Sequence, residues 1–559
     1  MSLMTAPSKR SVDFDKLPKY RAPAGDRQAL VDPPLLYAVD QVREHQFSNH
    51  GPQFLGSPLP QLREQARSDA LRAAVSYSSA YRDVRLDNPQ KGLDAAKLPW
   101  LVAGHQPELF HPGVWFKNFL LSRCGQQANV LPLNLIIDND LCRSPAIRVP
   151  LKASGDESIR VESVVFDDPA PAVAWECRAP VNVGLFDSFP DRVRKTLHNG
   201  PGEPLVGPMW KFAKEAVRRT GRLGLALAQA RHQLEGELGL QTLELPLSQL
   251  CDQPSFARFS LELLRQLPRF QKVYNAQRAA YRTANGIRSE THPVPALSER
   301  HGWIEAPWWI YRLGIPQRKH LFAKLENDNL IISDQAGWQA TLEGPLDGDD
   351  AVAQWQEFAV DGVMLRPRAL ITTMFVRMIV SDLFMHGIGG GKYDQLTDAI
   401  IRDFFGVEPP PMCVATATLH LPTQDHAQSP TWAQHDAAVK REVDSLRHIR
   451  FHPEEHLSSP SAEAQQLIAA KQELLRAIPP RGEKWEWHRK MTRIGQRLTA
   501  LTTETAQEGE RRLQQLSAES RQLKLIHSRE FSFCLFESTY IDQALSDLAG
   551  QHLDYPSAK

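Results

Sequence analysis

The chain has 559 residues, 65 of them basic and 65 acidic, with 42% hydrophobic and 23% charged residues. These values exclude a disordered polymer, a collagen-like rod and a small disulfide scaffold, and they leave no broad basic surface for holding nucleic acid. The length predicts two to four domains with ample chain for a buried core. No apolar stretch reaches the roughly 18–20 residues that cross a bilayer. Residues 1–20 carry Lys9, Arg10, Asp13, Asp15, Lys16 and Lys19 and contain no apolar leader region. Cys124, Cys142, Cys177, Cys251, Cys413 and Cys534 are scattered without CxxC spacing. That pattern predicts reduced thiols in a cytoplasmic protein and no zinc site.

Residues 1–60 are Pro-rich and read as an arm laid over the core, with helix from about Gln61 to Tyr81. Leu98 to Ala103 is the first strong strand; it leads through the loop Gly104–Gly113 into an apolar-periodic helix from Val114 to about Arg123. Asn129 to Ile137 is a near-continuous apolar run that closes on Asp138, Asn139 and Asp140. Strand, loop, helix and strand within ~40 residues make a βαβ unit, and a strand apolar on both faces belongs inside a parallel sheet. The expected class is therefore α/β, with an open parallel sheet.

Residues 145–185 alternate in short β runs (Ala146–Leu151, Ile159–Phe166, Val173–Cys177), an excursion beside the sheet, and helical patterns fill about 187–284. Short strands and turns return from Ile287 to Asp334. Val360–Leu365 reads as a buried strand, followed by an apolar helix from about Ala369 to His386 and the Gly-rich run Gly387–Gly391. Beyond about His448 apolar residues recur at helical spacing up to Ile478, and Pro479-Pro480-Arg481-Gly482 breaks the pattern. Trp487, Met491, Ile494, Leu498 and Leu501 then step by four and three, and the seam shifts near Thr502 before continuing to Leu523. Some 40 residues of helix span about 60 Å at 1.5 Å per residue. Residues 456–528 are therefore expected to form a protruding antiparallel coiled-coil hairpin, the alternative being two amphipathic helices packed on the core. The expected domains are 1–455, with inserted segments at about 145–185 and 187–284, then 456–528, then a tail, 529–559, that returns to the core.

Three places carry candidate chemistry. The loop Gly104–Gly113 leaves the carboxyl end of a sheet strand and enters a helix N-terminus, where open α/β sheets bind ligands and backbone N–H groups favour phosphate. His105 and His111 can donate to phosphate oxygens there, or they cap the helix and pack against Phe110 and Trp115. Asp138 and Asp140 end the next strand on the same edge and can bind an amine, a ribose hydroxyl or Mg²⁺, or form a turn or helix cap. Gly387–Lys392 is no Walker A loop, because His386 and Tyr393 fail it at both ends; it reads as a Gly-rich turn with Lys392 and Asp394 beside it as polar ligands. Arg377 and Asp382 interrupt the apolar helix before it and are expected to be paired.

Several segments together resemble the cysteine-adding ligase family of bacillithiol biosynthesis, the BshC family. The loop Gly104–Gly113 is similar to its Gly-Gln-Gln-x-Gly-Leu-Phe-x-Gly-Pro loop, and Leu135-Ile136-Ile137-Asp138-Asn139-Asp140 to its Glu-Asp-His-Asp strand end. Val363-Met364-Leu365-Arg366-Pro367 with the Gly389–Gly391 turn, and Phe405–Pro409 with Ala417–Leu419, resemble later segments in the family's order. The resemblance implies a Rossmann-like core related to class I synthetase and nucleotidyltransferase domains, with inserted segments and a coiled coil that pairs two subunits. It implies ATP-dependent joining of an amino acid, cysteine in that family, to an amino-sugar acceptor, with ATP or ADP bound and Mg²⁺ as a further candidate.

The matching positions are Gly104, Gln106, Asp138, Asp140, Arg366 and Gly391. The catalytic candidates are thus His105, His111, Asp138 and Asp140, and the nucleotide-binding ones Gly104, Gln106, Gly113, Gly389, Gly390 and Gly391. Arg366, Lys392 and Asp394 are the substrate-binding candidates, and no residue is assigned to a metal. His105, Asn139 and Lys392 stand where the family has Gln, His and Glu. Lys in place of Glu reverses the charge offered to a substrate and removes an acceptor. Two alternatives follow, a non-catalytic dimeric scaffold or small-ligand binding protein, and a nucleotidyl-transfer enzyme with an anionic acceptor. No nucleic-acid or membrane partner is expected.

Overall fold

The computed structural model describes residues 13–44, 51–84, 97–152, 159–197, 202–289, 294–423, 431–457 and 459–553. Residues 1–12 and 45–50 of the expected arm and 554–559 of the tail lie outside them. The chain divides into two compact units: 1–149, 162–420 and 529–559 form one, and 150–161 with 421–528 the other. Residues 421–455, assigned to the core from sequence, group with the helical unit.

The main sheet of the first unit is built from β1 (Gln28–Asp32), β2 (Trp100–His105), β3 (Leu131–Ile136), β4 (Leu243–Pro246), β5 (Leu383–His386) and β6 (Met412–Thr418). Helix α1 (Pro112–Ala128) follows β2, and helix α2 (Ile388–Phe405) follows β5. The strand order is β1-β6-β5-β2-β3-β4. β2 to β6 run parallel and only β1, on the edge, is antiparallel. Leu101, Val102, Ala103, Leu133 and Leu135 are fully buried, as strands covered on both faces require. From β2 the chain builds outward through β3 and β4, then returns to the other side of β2 with β5 and β6. The order reverses between β2 and β5, which makes a topological switch point in the sheet.

Two of these strands correct the sequence reading. β4 is a four-residue strand inside the stretch read as dominated by helix. β5 occupies the end of the run read as one helix, 369–386; there Ala369–Phe375 is α-helix, Val376–Val380 continues it as a π-turn, and Ser381-Asp382 separates both from the strand. Apolarity alone cannot separate a buried strand from a buried helix. Asp382 is held by Arg63 at 2.6 Å and Arg67 at 2.9 Å and accepts the Trp100 N–H at 2.7 Å, so the break is fixed by charge pairing. A third correction is Val173–Cys177, which is a 3₁₀ turn over Trp175–Cys177.

A second, antiparallel sheet joins Trp303–Arg312, Ile315–Glu326, Asn329–Ser333, Gln339–Leu342 and Val363–Pro367. The tail supplies buried Phe531, Phe533, Leu535 and Phe536 to the first unit. All six cysteines are free, five of them buried. Among the described residues no helix is long and apolar enough to cross a membrane.

In the second unit α3 (Trp432–Phe451) lies against α6 (Thr503–Ile526), and α4 (Ala462–Arg476) against α5 (Trp485–Leu501). The pairs are antiparallel: His435 meets Leu516 and Ser520, and the Trp487 indole N–H donates to the Leu474 carbonyl at 2.7 Å. Pro479–Gly482 lies at the tip. Each arm is two helices rather than one, broken at 452–461 and at Thr502, where the apolar seam shifts. Leu498 is buried within this helical unit, whereas Leu501 remains 42% exposed.

Candidate functional site

The carboxyl ends of β2 and β5 are neighbours: Met385 is in register with Ala103, so His386 and Gly104 follow side by side at the switch point. Two polar constructions flank that point, one on the β2–β3 side and one at the start of α2.

On the first side, His105 is the last residue of β2. Its Nδ1 lies 3.1 Å from the Gln106 carbonyl and its ring packs edge-on against Phe110 at 5.0 Å. Burial, with the Lys117 charge adding to it, pushes its pKa down to about 3. The Gln106 amide donates to Asp140 at 2.9 Å, lacing the loop to the end of β3. His111 caps α1: its Nδ1 accepts the Gly113 N–H at 3.1 Å, and burial, with Arg529 nearby, lowers its pKa to about 3. The ring therefore takes a place that a phosphate would need at the start of α1. Gly113 must be glycine, because a Cβ there would overlap the Ala417 carbonyl of β6. Gly104 is tight as well, with Leu135 O and Ile137 3.3 Å from a Cβ position.

Lys117, the one charge in the apolar first half of α1, is 3% exposed and donates to the Gly104 carbonyl at 2.9 Å. Burial, with Arg231 nearby, lowers its pKa to about 8. It was not among the sequence candidates. The signal that could have found it is a lysine inside the apolar run Val114-Trp115-Phe116-Lys117-Asn118-Phe119.

Asp138 is buried and caps the short helix Leu247–Cys251, accepting from the Ser248 N–H at 2.9 Å and the Ser248 hydroxyl at 2.5 Å. Burial, with the Glu176 carboxylate beside it, raises its pKa to about 7. Asp140 accepts from Gln106 and from Arg318 at 3.3 Å, and the Asn139 amide donates to the Pro367 carbonyl at 2.9 Å. Arg366, a substrate ligand by resemblance, is buried. It grips Glu176 with two bonds of 3.0 and 3.1 Å and Asp252 with one of 2.8 Å. Its guanidinium is committed to the protein itself.

On the other side, Gly387–Gly391 is not a turn after a helix but the N-cap and first turn of α2. Gly387 offers no side-chain cap, and the first intrahelical bond is Gly391 N–H to Gly387 O at 2.9 Å. Among the described residues the N–H groups of Ile388, Gly389 and Gly390 have no partner, and Gly389 and Gly390 are exposed. Gly391 packs against Val414, whose methyl a Cβ would overlap. His386 sits directly before this turn, 5% exposed, with Nε2 2.7 Å from the Asp394 carboxylate. Its Nδ1 is 2.7 Å from where a Cβ on Gly390 would stand. Asp394 also accepts from Arg377 at 2.6 Å and the Thr373 hydroxyl at 2.7 Å. Against the effect of burial, Arg377 and His386 hold its carboxyl below the usual range. Asp394 is thus a partner of His386 rather than an exposed ligand. Lys392 is exposed, and its carbonyl accepts from the Tyr281 hydroxyl at 3.1 Å.

The structure gathers His105, Gln106 and Asp140 in one laced group and Gly389–Gly391, Asp394 and His386 in another, while Arg366 belongs to a separate buried ion cluster. Sequence reasoning missed His386 because its strand was read as the end of a helix. Among the described residues no group of three or more His, Cys, Asp or Glu side chains is gathered to hold a metal ion. No protein family matches the chain, and no curated protein matches it.

Proposed function

We propose that this chain is an ATP-dependent carbon–nitrogen ligase of the bacillithiol type, joining an amino acid to an amine acceptor, with its nucleotide phosphates at the switch point. The observation that carries the reading is the uncapped, glycine-lined start of α2 beside His386 and the end of β2. Three free N–H groups at the positive end of an 18-residue helix favour anionic oxygens. Glycines at 389 and 390 let such a group approach the backbone.

In this reading the nucleotide activates the amino-acid carboxyl group. His386 supplies the proton acceptor. With Nε2–H directed to Asp394, its Nδ1 lone pair faces the first turn of α2. As the acceptor nitrogen bonds to the acyl carbon and the acyl–oxygen bond to phosphate breaks, the amine proton passes to Nδ1. Asp394, fixed by Arg377 and Thr373, holds the ring for that transfer. Lys117 borders the same edge, where its charge favours the departing anion.

A second reading, a small-ligand binding protein without chemistry, is favoured by one observation: His111, Asp138 and Arg366 are all committed to structural contacts. For assembly the proposal is a homodimer through the helical unit, where Leu475, Ile478, Trp485 and Leu501 remain exposed.

Calorimetry with ATP, ADP and AMP in Mg²⁺ tests the nucleotide. Specific binding is expected, and Gly389→Val should lower the affinity about tenfold or more by blocking the backbone. Absence of binding by the wild-type chain removes the ligase reading. Binding without amino-acid-dependent phosphate or pyrophosphate release favours the second.

A further inference from the structure

The second unit holds three histidines at four-residue steps, His448, His452 and His456, where α3 ends and the chain bends toward α4. Residues four apart share a helix face, and histidines at that spacing chelate metal ions. The backbone fixes the bend. The His452 N–H donates to the His448 carbonyl at 2.7 Å, and the Glu455 N–H to the His452 carbonyl at 3.1 Å. The short helix Pro453–His456 then carries His456 back to His448, whose Nδ1 lies 2.9 Å from His456 Nε2. The His452 ring stacks on that of His448 at 4.9 Å. The other nitrogen of His448, Nε2, faces Glu455 Oε2 at 3.5 Å.

We propose that His448 and His456 are the protein ligands of a site for a late divalent transition-metal ion of the Ni²⁺ or Cu²⁺ type, with His452 as a third donor once its ring turns. Two imidazole nitrogens each about 2.0–2.1 Å from an ion stand about 2.9 Å apart when they bind at a right angle, and about 3.4 Å apart on a tetrahedral ion. The observed separation fits the square or octahedral case. Metal-binding histidines direct their second nitrogen to a carboxylate, which fixes the tautomer and raises the ring's basicity. Glu455 stands in that position. Lys471 holds Glu454 at 2.7 and 2.8 Å, and His452 Nδ1 lies 4.0 Å from Glu454 and 3.9 Å from Glu455.

Only two donors converge in this conformation, so His452 and water complete the coordination, and the affinity expected is micromolar. The ion ties the last turn of α3 to the short helix before α4, fastening the bend in one arm of the hairpin. This inference is independent of the ligase reading. The same 2.9 Å separation suits a plain N–H···N hydrogen bond between neutral rings, and the experiment separates the two.

The test is calorimetry of the full chain, free of any affinity tag, titrated with NiCl₂ at pH 7.5 and pH 5.5. One micromolar site per chain is expected at pH 7.5. It should weaken at pH 5.5, because protons compete with the metal for the imidazole nitrogens. His448→Ala and His456→Ala should each reduce affinity at least tenfold, and Glu455→Gln about tenfold through the second nitrogen. Circular dichroism should show the helices of the double variant His448→Ala, His456→Ala intact without metal. No binding by the wild-type chain at millimolar Ni²⁺, or equal binding by the folded double variant, overturns the site and leaves a hydrogen-bonded pair.

Discussion

The two sides of the switch point use similar residues to different ends. On the β2–β3 side, His111 closes the helix it precedes, Asp138 caps another, and Gln106 ties Asp140. Nearly every polar group there has a partner within the protein. On the β5 side, α2 starts without a cap and three N–H groups stay open, beside a histidine whose second nitrogen is oriented by Asp394. A motif rich in chemistry-bearing side chains can therefore be a structural lacing, whereas a run of glycines can be the working surface. What separates them is the count of unsatisfied donors and acceptors.

The largest expected effect contrasts two glycines. Gly113→Ala puts a methyl into the Ala417 carbonyl and against Thr416, both in a packed strand. It should cost about 2–4 kcal/mol of stability through overpacking and a shifted helix start. Gly389→Ala meets nothing within 4 Å. It should leave stability unchanged or raise it by up to about 1 kcal/mol, while weakening nucleotide binding. Urea denaturation and calorimetry on both variants read the difference. If Gly389→Ala destabilises as much as Gly113→Ala, the start of α2 is structural too, and the contrast fails.

Next in size is Asp394→Asn. Arg377 would keep Asp398 at 2.7 Å but lose half its compensation in a fully buried position. A cost of about 2–3 kcal/mol is expected, below the ~3–5 of an ion left wholly unpaired. His386→Gln, by contrast, should cost less stability while abolishing any ligation rate. Parallel loss of both in His386→Gln would make the His386–Asp394 pair a buried brace.

How much of this could be read from sequence follows from where partners lie along the chain. The βαβ start was legible because Leu101–Ala103 and, apart from Asn134, Leu131–Ile136 are apolar runs flanking an apolar-periodic helix. β4 was not, since four residues of Leu-Glu-Leu-Pro carry no period. β5 was hidden because a buried helix and a buried strand, joined by only Ser381-Asp382, form one apolar run. That single error concealed His386 and turned the first turn of α2 into a loop. The role of Arg366 was equally out of reach: its partners Glu176 and Asp252 are 190 and 114 residues away. The helix break at Pro479–Gly482 was legible, because proline and glycine act locally.

The smallest effect concerns pH, and here the β2–β3 side should betray its buried titratable groups. His105 and His111 have folded pKa values near 3, below the ordinary 6.5. The unfolded chain therefore binds more protons than the folded one between these limits, and stability is lost as pH falls from 6.5 toward 3. Asp138 runs the other way. Its folded pKa is near 7 against an ordinary 3.8, so the folded state holds the extra proton and stability falls as pH rises from about 4 to 7. Asp394, held below the usual range, changes nothing between pH 5 and 7. Asp138→Asn should therefore gain stability relative to wild type as pH rises from 5 to 7, by at most about 1.4 kcal/mol per pH unit. His105→Gln should gain relative to wild type as pH drops below 6.5. Urea midpoints at pH 5, 6 and 7 suffice to measure both. A flat difference for Asp138→Asn would mean that its carboxyl group is already ionised at pH 5. The Ser248 cap would then be an ordinary charged cap, and the two sides of the switch point would not differ in this respect.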